Sequence, residues 1–540
     1  MSSLIHLFKV SSILTETPNM EFQQIIHGLF TASLFLLIIF SALSQGDGLP
    51  YMTSDIEEVS GRSFDYIIVG GGAGGCPLAA TLSERFSVLL VERGGSPYDD
   101  PFILERKKCG LSLIQTDEFS SVAQQFVSEE GVVNYRGRVL GGSTAINYGF
   151  YSRASRDFIR SARWDETLVR DAYEWVESKV VFEPKLSPWQ SAVRDGLVEV
   201  GILPFNGLSL EHLEGTKMGG WIFDDFGRRH TSADILRTGV SKNITVLLNA
   251  TVKNVIFHDN GDGSKLRACG IRFIKSDCNS DKIYEAYLKQ PDSESWGDVV
   301  LSAGALGSPQ ILMLSGIGPQ EHLERFNISV LKDAINVGKS IQDNPGILLY
   351  VDSQPGSREI DTIQVVGIAN DFQIIIQSPI LPISFNATRI GIAAKIAVPV
   401  SRGKLQLNST DPRENPSVRF NYLVEERDLD KCVEMVRLLK HVSQSKSISL
   451  FLGTQSYETV KSSDDELREF CKMNVRTYYH YHGGCVVGSV VDEDYRVYGV
   501  DGLRVIDGST LVDSPGTNPM ATLLMLGRYQ GVKILKENVL

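Results

Sequence analysis

The segment from Phe64 to Gly95, FDYIIVGGGAGGCPLAATLSERFSVLLVERGG, constrains the fold more than any other part of the chain. An apolar run with β-branched residues, Tyr66 to Val69, meets Gly70-x-Gly72-x-x-Gly75. A helix-compatible stretch follows to Arg85, then a second apolar run, Val88 to Val91, which ends in Glu92. Strand, glycine turn, helix, strand and acid together make the unit that binds the ADP half of a dinucleotide. Gly70 permits the turn, Gly72 lets backbone approach a pyrophosphate, and Gly75 lets helix and strand pack closely. Unpaired amides at the helix N-terminus, with the helix dipole, favour the diphosphate. Glu92, about 20 residues on, is placed to accept hydrogen bonds from ribose hydroxyls. A bare GxGxxG also occurs as a ligand-free turn; the strands and the acid in register are what favour binding. The unit does not choose between NAD and FAD.

At 540 residues the chain exceeds one ordinary core, so two or more domains are expected. Its 42% hydrophobic and 22% charged residues are globular values. A net charge of −12, with no basic patch, argues against nucleic acid or an anionic membrane as a partner. Near the N-terminus LFTASLFLLIIFSAL, residues 29–43, is short for a membrane span and ends in a small-x-small pattern. Residues 1–44 therefore read as a signal peptide and the protein as secreted, with Met20 as an alternative start. The rival reading is an uncleaved anchor beginning at Ile25. Sequons at Asn243, Asn249, Asn327, Asn386 and Asn408 fit a secreted glycoprotein. The seven cysteines form no CxxC pair and no metal-ligand spacing appears, so no metal is expected. Cys76, at the start of the dinucleotide helix, is expected to pack as a small apolar residue.

After Glu92 the simple strand–helix alternation stops. Residues 162–179 are helix-like, and NITVLLNATVKNVIF (243–257) reads as two strands. Residues 298–301 read as a strand entering a turn at Ser302-Ala303-Gly304. Residues 347–400 alternate β-branched runs with Pro and Gly, which fits an antiparallel sheet facing a pocket. Residues 425–445 read as an amphipathic helix with Leu429, Cys432, Val433, Val436 and Leu439 near one face, plain core packing. The C-terminal stretch, 503–540, looks like strand, glycine turn and helix again.

Three further glycine-rich segments stand out: GRVLGGSTAIN (137–147), GALGSPQILMLSGIG (304–318) and HYHGGCVVG (480–488), the last followed by LRVIDGSTLVDSPGTNPMATLLMLGR (503–528). Singly, each could be a structural turn. Together and in order they resemble the glucose–methanol–choline flavoprotein oxidoreductases, from about Phe64 to the C-terminus. YYHYHGGCVVG and DSPGTNPMATLLMLGRY are most similar to the plant branch that contains mandelonitrile lyases and HOTHEAD-type proteins.

The resemblance implies an α/β (α+β overall) fold, in which a Rossmann-like FAD domain is interleaved with an antiparallel-sheet substrate domain. Its FAD pieces would be 62–150, 230–320 and 480–540, and its substrate pieces 151–229 and 321–479. Ala73, Gly74 and Glu92 would contact the ADP half of FAD, and Val252 would meet adenine through its backbone. Val139, Ser143 and Asn147 would lie along the flavin, with Asp507 and Gly508 in the C-terminal flavin-contacting segment. A covalent histidyl link is not indicated, because the second glycine turn contains no His. Cys432 and Cys471 fall where the related lyases have a disulfide, which would contribute about 2–4 kcal/mol; the alternative is two buried thiols.

In this family the first His of H-x-x-G sits opposite the flavin, here His480, as a general base for an alcohol. The partner position falls on Asn518, whose amide can hold the substrate oxygen without competing for the proton. Tyr478 and Tyr479 would face the substrate. His482 would share the face of His480 in an extended segment, yet Gly483-Gly484 signals a turn, so it reads as structural or at the pocket rim. Mandelonitrile lyases carry a second His where Asn518 stands and a pocket Cys, which GIANDFQII (367–375) lacks. Losing that cation removes stabilisation of departing cyanide. The expectation is therefore oxidation of a small-molecule alcohol. The alternatives are a hydroxynitrile lyase acting on a cyanohydrin and a non-catalytic flavin-binding protein.

Overall fold

Four distant stretches of chain meet in one parallel sheet. Its strand order is Met52–Thr53, Ile244–Leu247, Val88–Val91, Tyr66–Val69, Val299–Leu301, Leu503–Val505, every neighbour parallel. This is seen in a computed structural model that describes residues 48–540 apart from 118, 259–265, 278–279, 291–296, 354–359, 381–388, 454–461 and 538–540. The proposed leader, Asn386 and Cys278 lie outside the described residues.

Tyr66–Val69, Val88–Val91 and Val299–Leu301 are buried at every position, as a parallel sheet covered on both faces requires. Tyr66–Val69 is flanked by Val88–Val91 on one side and Val299–Leu301 on the other. The chain runs outward from it in both directions, so a crevice opens at its carboxyl end, where the glycine turn lies. The helix Gly75–Leu82 buries all of its residues. One cover is the C-terminal helix Met520–Glu537, which approaches so closely that a Cβ on Gly527 would stand 2.2 Å from the Gly74 carbonyl oxygen. The helix expected over 162–179 is found as Glu166–Val180, with a separate short helix, Arg156–Ser161, before it. Asp165 caps the second by accepting from Leu168 N, and Arg163 turns the chain with φ 55°.

The second sheet has seven strands, in the order Arg476–Thr477, Pro345–Asp352, Arg389–Ile396, Ile374–Gln377, Val365–Ala369, Gly215–Met218, Phe205–Leu208. All neighbours are antiparallel except the last pair. The antiparallel reading of 347–400 thus holds, extended by strands from 205–218 and 476–477. Helix Glu426–Ser443 packs on this sheet and buries Leu429, Cys432, Val433, Val436 and Leu439. Cys432 and Cys471 form a disulfide across 39 residues, tying that helix to Asp464–Asn474, which leads directly to Tyr478.

Among the remaining described cysteines, Cys76, Cys109 and Cys485 are buried and free. Cys76 is fully buried against the glycine turn and donates from Sγ to the Gly71 carbonyl, 3.1 Å. Asn249, Asn327 and Asn408 are exposed, and Asn243 is half-buried with its amide donating to the Ser83 carbonyl. No helix among the described residues is long and apolar enough to cross a membrane.

Candidate active site

A cavity of about 1300 Å³ runs between the two sheets. At one end it is lined by Gly70, Gly72, Ala73, Gly74, Glu92 and Val252, and along its length by Ser143, Asn147, Asp507 and Gly508. At the far end stand Tyr478, Tyr479, His480 and Asn518. The cavity therefore brings together fourteen of the residues singled out in the sequence. Gly75 lies behind it, where a Cβ would come within 2.0 Å of the Gly70 carbonyl oxygen, so its part is to seat the helix on the turn. Val139 does not reach the cavity either. Its strand-like bridge to Gly95 turns the side chain into a core with Ile103, Ala123 and Ala145, and Gly142 and Ser143 face the cavity in its place.

The end at the first glycine turn is made mostly of backbone. Gly70 has φ 106° and begins the turn. A Cβ on Gly72 would meet nothing nearer than the Cα of Gly142 at 3.9 Å, so this face of the turn is open. Glu92 is fully buried and accepts from Gly71 N (2.9 Å) and Gly94 N (2.8 Å), so it braces the turn as well as lining the cavity. Burial raises its pKa, opposed by those amides. Asp507 accepts from Gly304 N and Ser509 N, joining the third glycine turn to the C-terminal segment.

The far end is made of side chains. Tyr479, with φ 62°, turns the chain so that the backbone N–H of His480 donates to Asp343 Oδ1, 2.8 Å. Asp343 is itself fixed by Tyr422 Oη, Thr477 Oγ1 and Asn344 N. The ring of His480 is held at Nδ1 by Asn344 Oδ1 (2.9 Å) and Lys395 Nζ (3.1 Å). Asn344 can present only its oxygen there, because its Nδ2 donates to the Ile396 and Ala397 carbonyls at 2.9 and 2.8 Å. Nδ1 therefore carries a proton, and the lone pair of the neutral ring is on Nε2. Burial first, then Lys395 and His482, hold the pKa of His480 well below the ordinary 6.5. His482 is buried and bonds through Nδ1 to the His480 carbonyl, 2.9 Å, which makes it structural.

Asn518 accepts at Oδ1 from Gln377 Nε2, 3.0 Å, leaving its own Nδ2 for the cavity. The Tyr478 hydroxyl is buried without a partner, and its ring lies 5.8 Å from that of His480. Tyr479 is 40% exposed, at the rim.

Asp343, Asn344, Gln377 and Lys395 escaped the sequence reading. A signal for one of them was available: Lys395 is the one charge within IGIAAKIAV (390–398). Lys395 is buried in that strand, and a buried charge is rare unless it is paired or has a role.

An FAD fits what is present. Arg136 lines the cavity, is fully buried, and has Nη2 without a partner, as a guanidinium awaiting an anion would. Gly72, Gly142 and Gly304 leave room for a flat ligand beside it. Models of the GMC oxidoreductase family match residues 64–346 and 399–527. The chain is 43% identical to an (R)-mandelonitrile lyase-like protein of Arabidopsis thaliana, covering 95% of this chain and 98% of that one. It is 40% identical to sinalpyl alcohol oxidase Nec3 of Nesocodon mauritianus, covering 88% and 89%. A crystal structure of formate oxidase matches with TM-score 0.75 at 19% identity, over 89% of this chain and 99% of that one, a likeness of fold. With its motifs, α/β architecture and family matches in agreement, the chain belongs to the GMC oxidoreductases.

Proposed function

We propose that this protein is an FAD-dependent enzyme that oxidises the CH–OH group of a small-molecule alcohol, with His480 as general base. The observation that carries the reading is the contact of His480 Nδ1 with Asn344 Oδ1: the oxygen accepts from Nδ1–H, so Nε2 offers a lone pair to the cavity. Bound flavin supplies a hydride acceptor. His480 Nε2 accepts the hydroxyl proton, which raises electron density on the carbinol carbon and eases departure of its hydride. Asn518 Nδ2 donates to the substrate oxygen as negative charge gathers there, and the unpartnered Tyr478 hydroxyl is available to do the same. The depressed pKa of His480 keeps the ring neutral across the physiological range. On this reading Ala73, Gly74, Glu92 and Val252 hold the ADP half, and Ser143, Asn147, Asp507 and Gly508 the flavin. The discontinuous FAD and substrate domains follow the boundaries given above.

A hydroxynitrile lyase is the second reading, favoured by the identity to the mandelonitrile lyase-like protein. Asn518 speaks against it, because a neutral amide stands where the lyases have a cation for cyanide. Secretion with removal of residues 1–44 is part of the proposal, supported by the apolar block and by exposed sequon asparagines. The test is anaerobic mixing of the purified flavoprotein with aromatic and aliphatic primary alcohols, and with mandelonitrile. Bleaching of the flavin by an alcohol is expected. Release of cyanide and aldehyde, with the flavin unchanged and no alcohol active, would favour the lyase.

A further inference from the structure

Lys395 is fully buried, and burial pushes its amine down to about 7, opposed by Asp343. It stands on the strand Arg389–Ile396. Its amine has two hydrogen-bonding neighbours among the described residues: His480 Nδ1 at 3.1 Å and the Thr517 carbonyl at 3.0 Å. Among the described residues no carboxylate within bonding reach compensates a charge there. An imidazolium beside an ammonium at that distance, both out of water, would be strongly disfavoured. A ring that must take a proton on Nε2 therefore needs its neighbour neutral, and a neutral amine has a lone pair for the Nδ1 proton.

We propose that Lys395 is the second holder of the substrate's proton, a positioning residue that acts through His480. This rests on the alcohol-oxidation reading. The hydroxyl O–H breaks as Nε2–H forms, and Nδ1–H breaks as a new N–H forms on Nζ. The ring stays neutral and only changes tautomer, and the positive charge comes to rest on Lys395. The ammonium then donates to Nδ1 and to the Thr517 carbonyl, the two partners it already touches. A bound flavin would accept the hydride, and the proton waits on Nζ until the ring returns it to the cavity. The other groups about His480 do not offer this service. Asn344 Oδ1 only accepts a hydrogen bond, Asp343 is committed to the backbone N–H, His482 faces the carbonyl, and the Tyr478 ring lies alongside. Behind Lys395, His212 lies within electrostatic reach of it and of Lys217, and burial keeps that imidazole neutral.

Two measurements on the FAD-loaded full chain test this. The first is the pH profile of anaerobic flavin reduction in wild type, Lys395→Met and Lys395→Gln. In wild type the acid limb should lie near 7, the titration of Lys395. In both variants it should move at least one pH unit lower, to that of His480 alone, with the plateau about tenfold reduced. A limb that stays, or moves up as loss of a neighbouring cation alone would cause, overturns the proposal. The second needs no turnover and no variant protein that folds poorly: nitrogen NMR of histidine-labelled wild-type holoenzyme. The His480 ring should pass from the Nδ1–H to the Nε2–H neutral tautomer as pH falls through about 7. Direct titration to imidazolium, or a tautomer that never changes, overturns it. If no alcohol bleaches the flavin while the tautomer still switches, the substrate assignment fails and the His480–Lys395 proton sharing stands.

Discussion

The two ends of the cavity are built from different materials. At the nucleotide end the turn Gly70–Gly75 is backbone, set within one continuous stretch of strand, helix and strand. At the other end stand side chains from separated segments: Asn344 and Lys395 hydrogen-bonded to His480, and Asn518 held by Gln377. A site made of amides depends on glycine, because only glycine leaves the backbone bare, and so it is written locally. A site made of side chains depends on which residues a sheet brings together, and its members look ordinary one at a time.

This difference predicts different failures. Gly75→Val should have the largest effect, since even its Cβ would overlap the Gly70 carbonyl oxygen at 2.0 Å. Soluble protein with bound flavin should be lost, judged by the ratio of flavin to protein absorbance. A Gly75→Val enzyme with full flavin content would break the claim that this end is fixed by backbone packing. Asn344→Leu should act in the opposite manner. Flavin content should be retained while kcat for flavin reduction falls roughly tenfold or more, up to the 10²–10⁴ that general-base catalysis contributes, and KM changes little. Loss of the Nδ1 acceptor leaves the ring free to adopt the wrong tautomer.

A smaller effect is expected from removing the disulfide. Cys432→Ala with Cys471→Ala should lower unfolding stability by about 2–4 kcal/mol, with the flavin spectrum unchanged, as read by thermal denaturation. The bond lies in the substrate-facing half, so greater loss of flavin than of stability would contradict the division between the ends. Smallest of all should be Tyr479→Phe. The hydroxyl sits on a rim residue that is 40% exposed, and kcat/KM should change by less than about twofold.

The same contrast explains what could be read from the sequence. The strands of the parallel sheet at 66–69, 88–91, 244–247, 299–301 and 503–505 were legible as short, mostly apolar runs close to turn residues. So was the helix Glu426–Ser443, from its apolar stripe. Val139 was drawn to the flavin by its place in a glycine-rich motif. Alternation across a bridge to Gly95 sends it into the core instead, a register that no motif states. The helix read at 162–179 begins only at Glu166, because the cap that starts it, Asp165, is a single acid among several. Asn344 and Lys395 stand 51 positions apart, and only the pairing of Pro345–Asp352 with Arg389–Ile396 carries both to the ring of His480. That pairing is long-range, so neither residue's partner could be read locally.

The central claim is that one end holds the cofactor and the other does the chemistry. Stopped-flow flavin reduction in His480→Ala, against wild type and with an alcohol that bleaches the wild type, tests it most directly. The account predicts normal flavin content with reduction slowed by about 10²–10⁴-fold. Reduction at the wild-type rate, or loss of the flavin with the side chain, would contradict it.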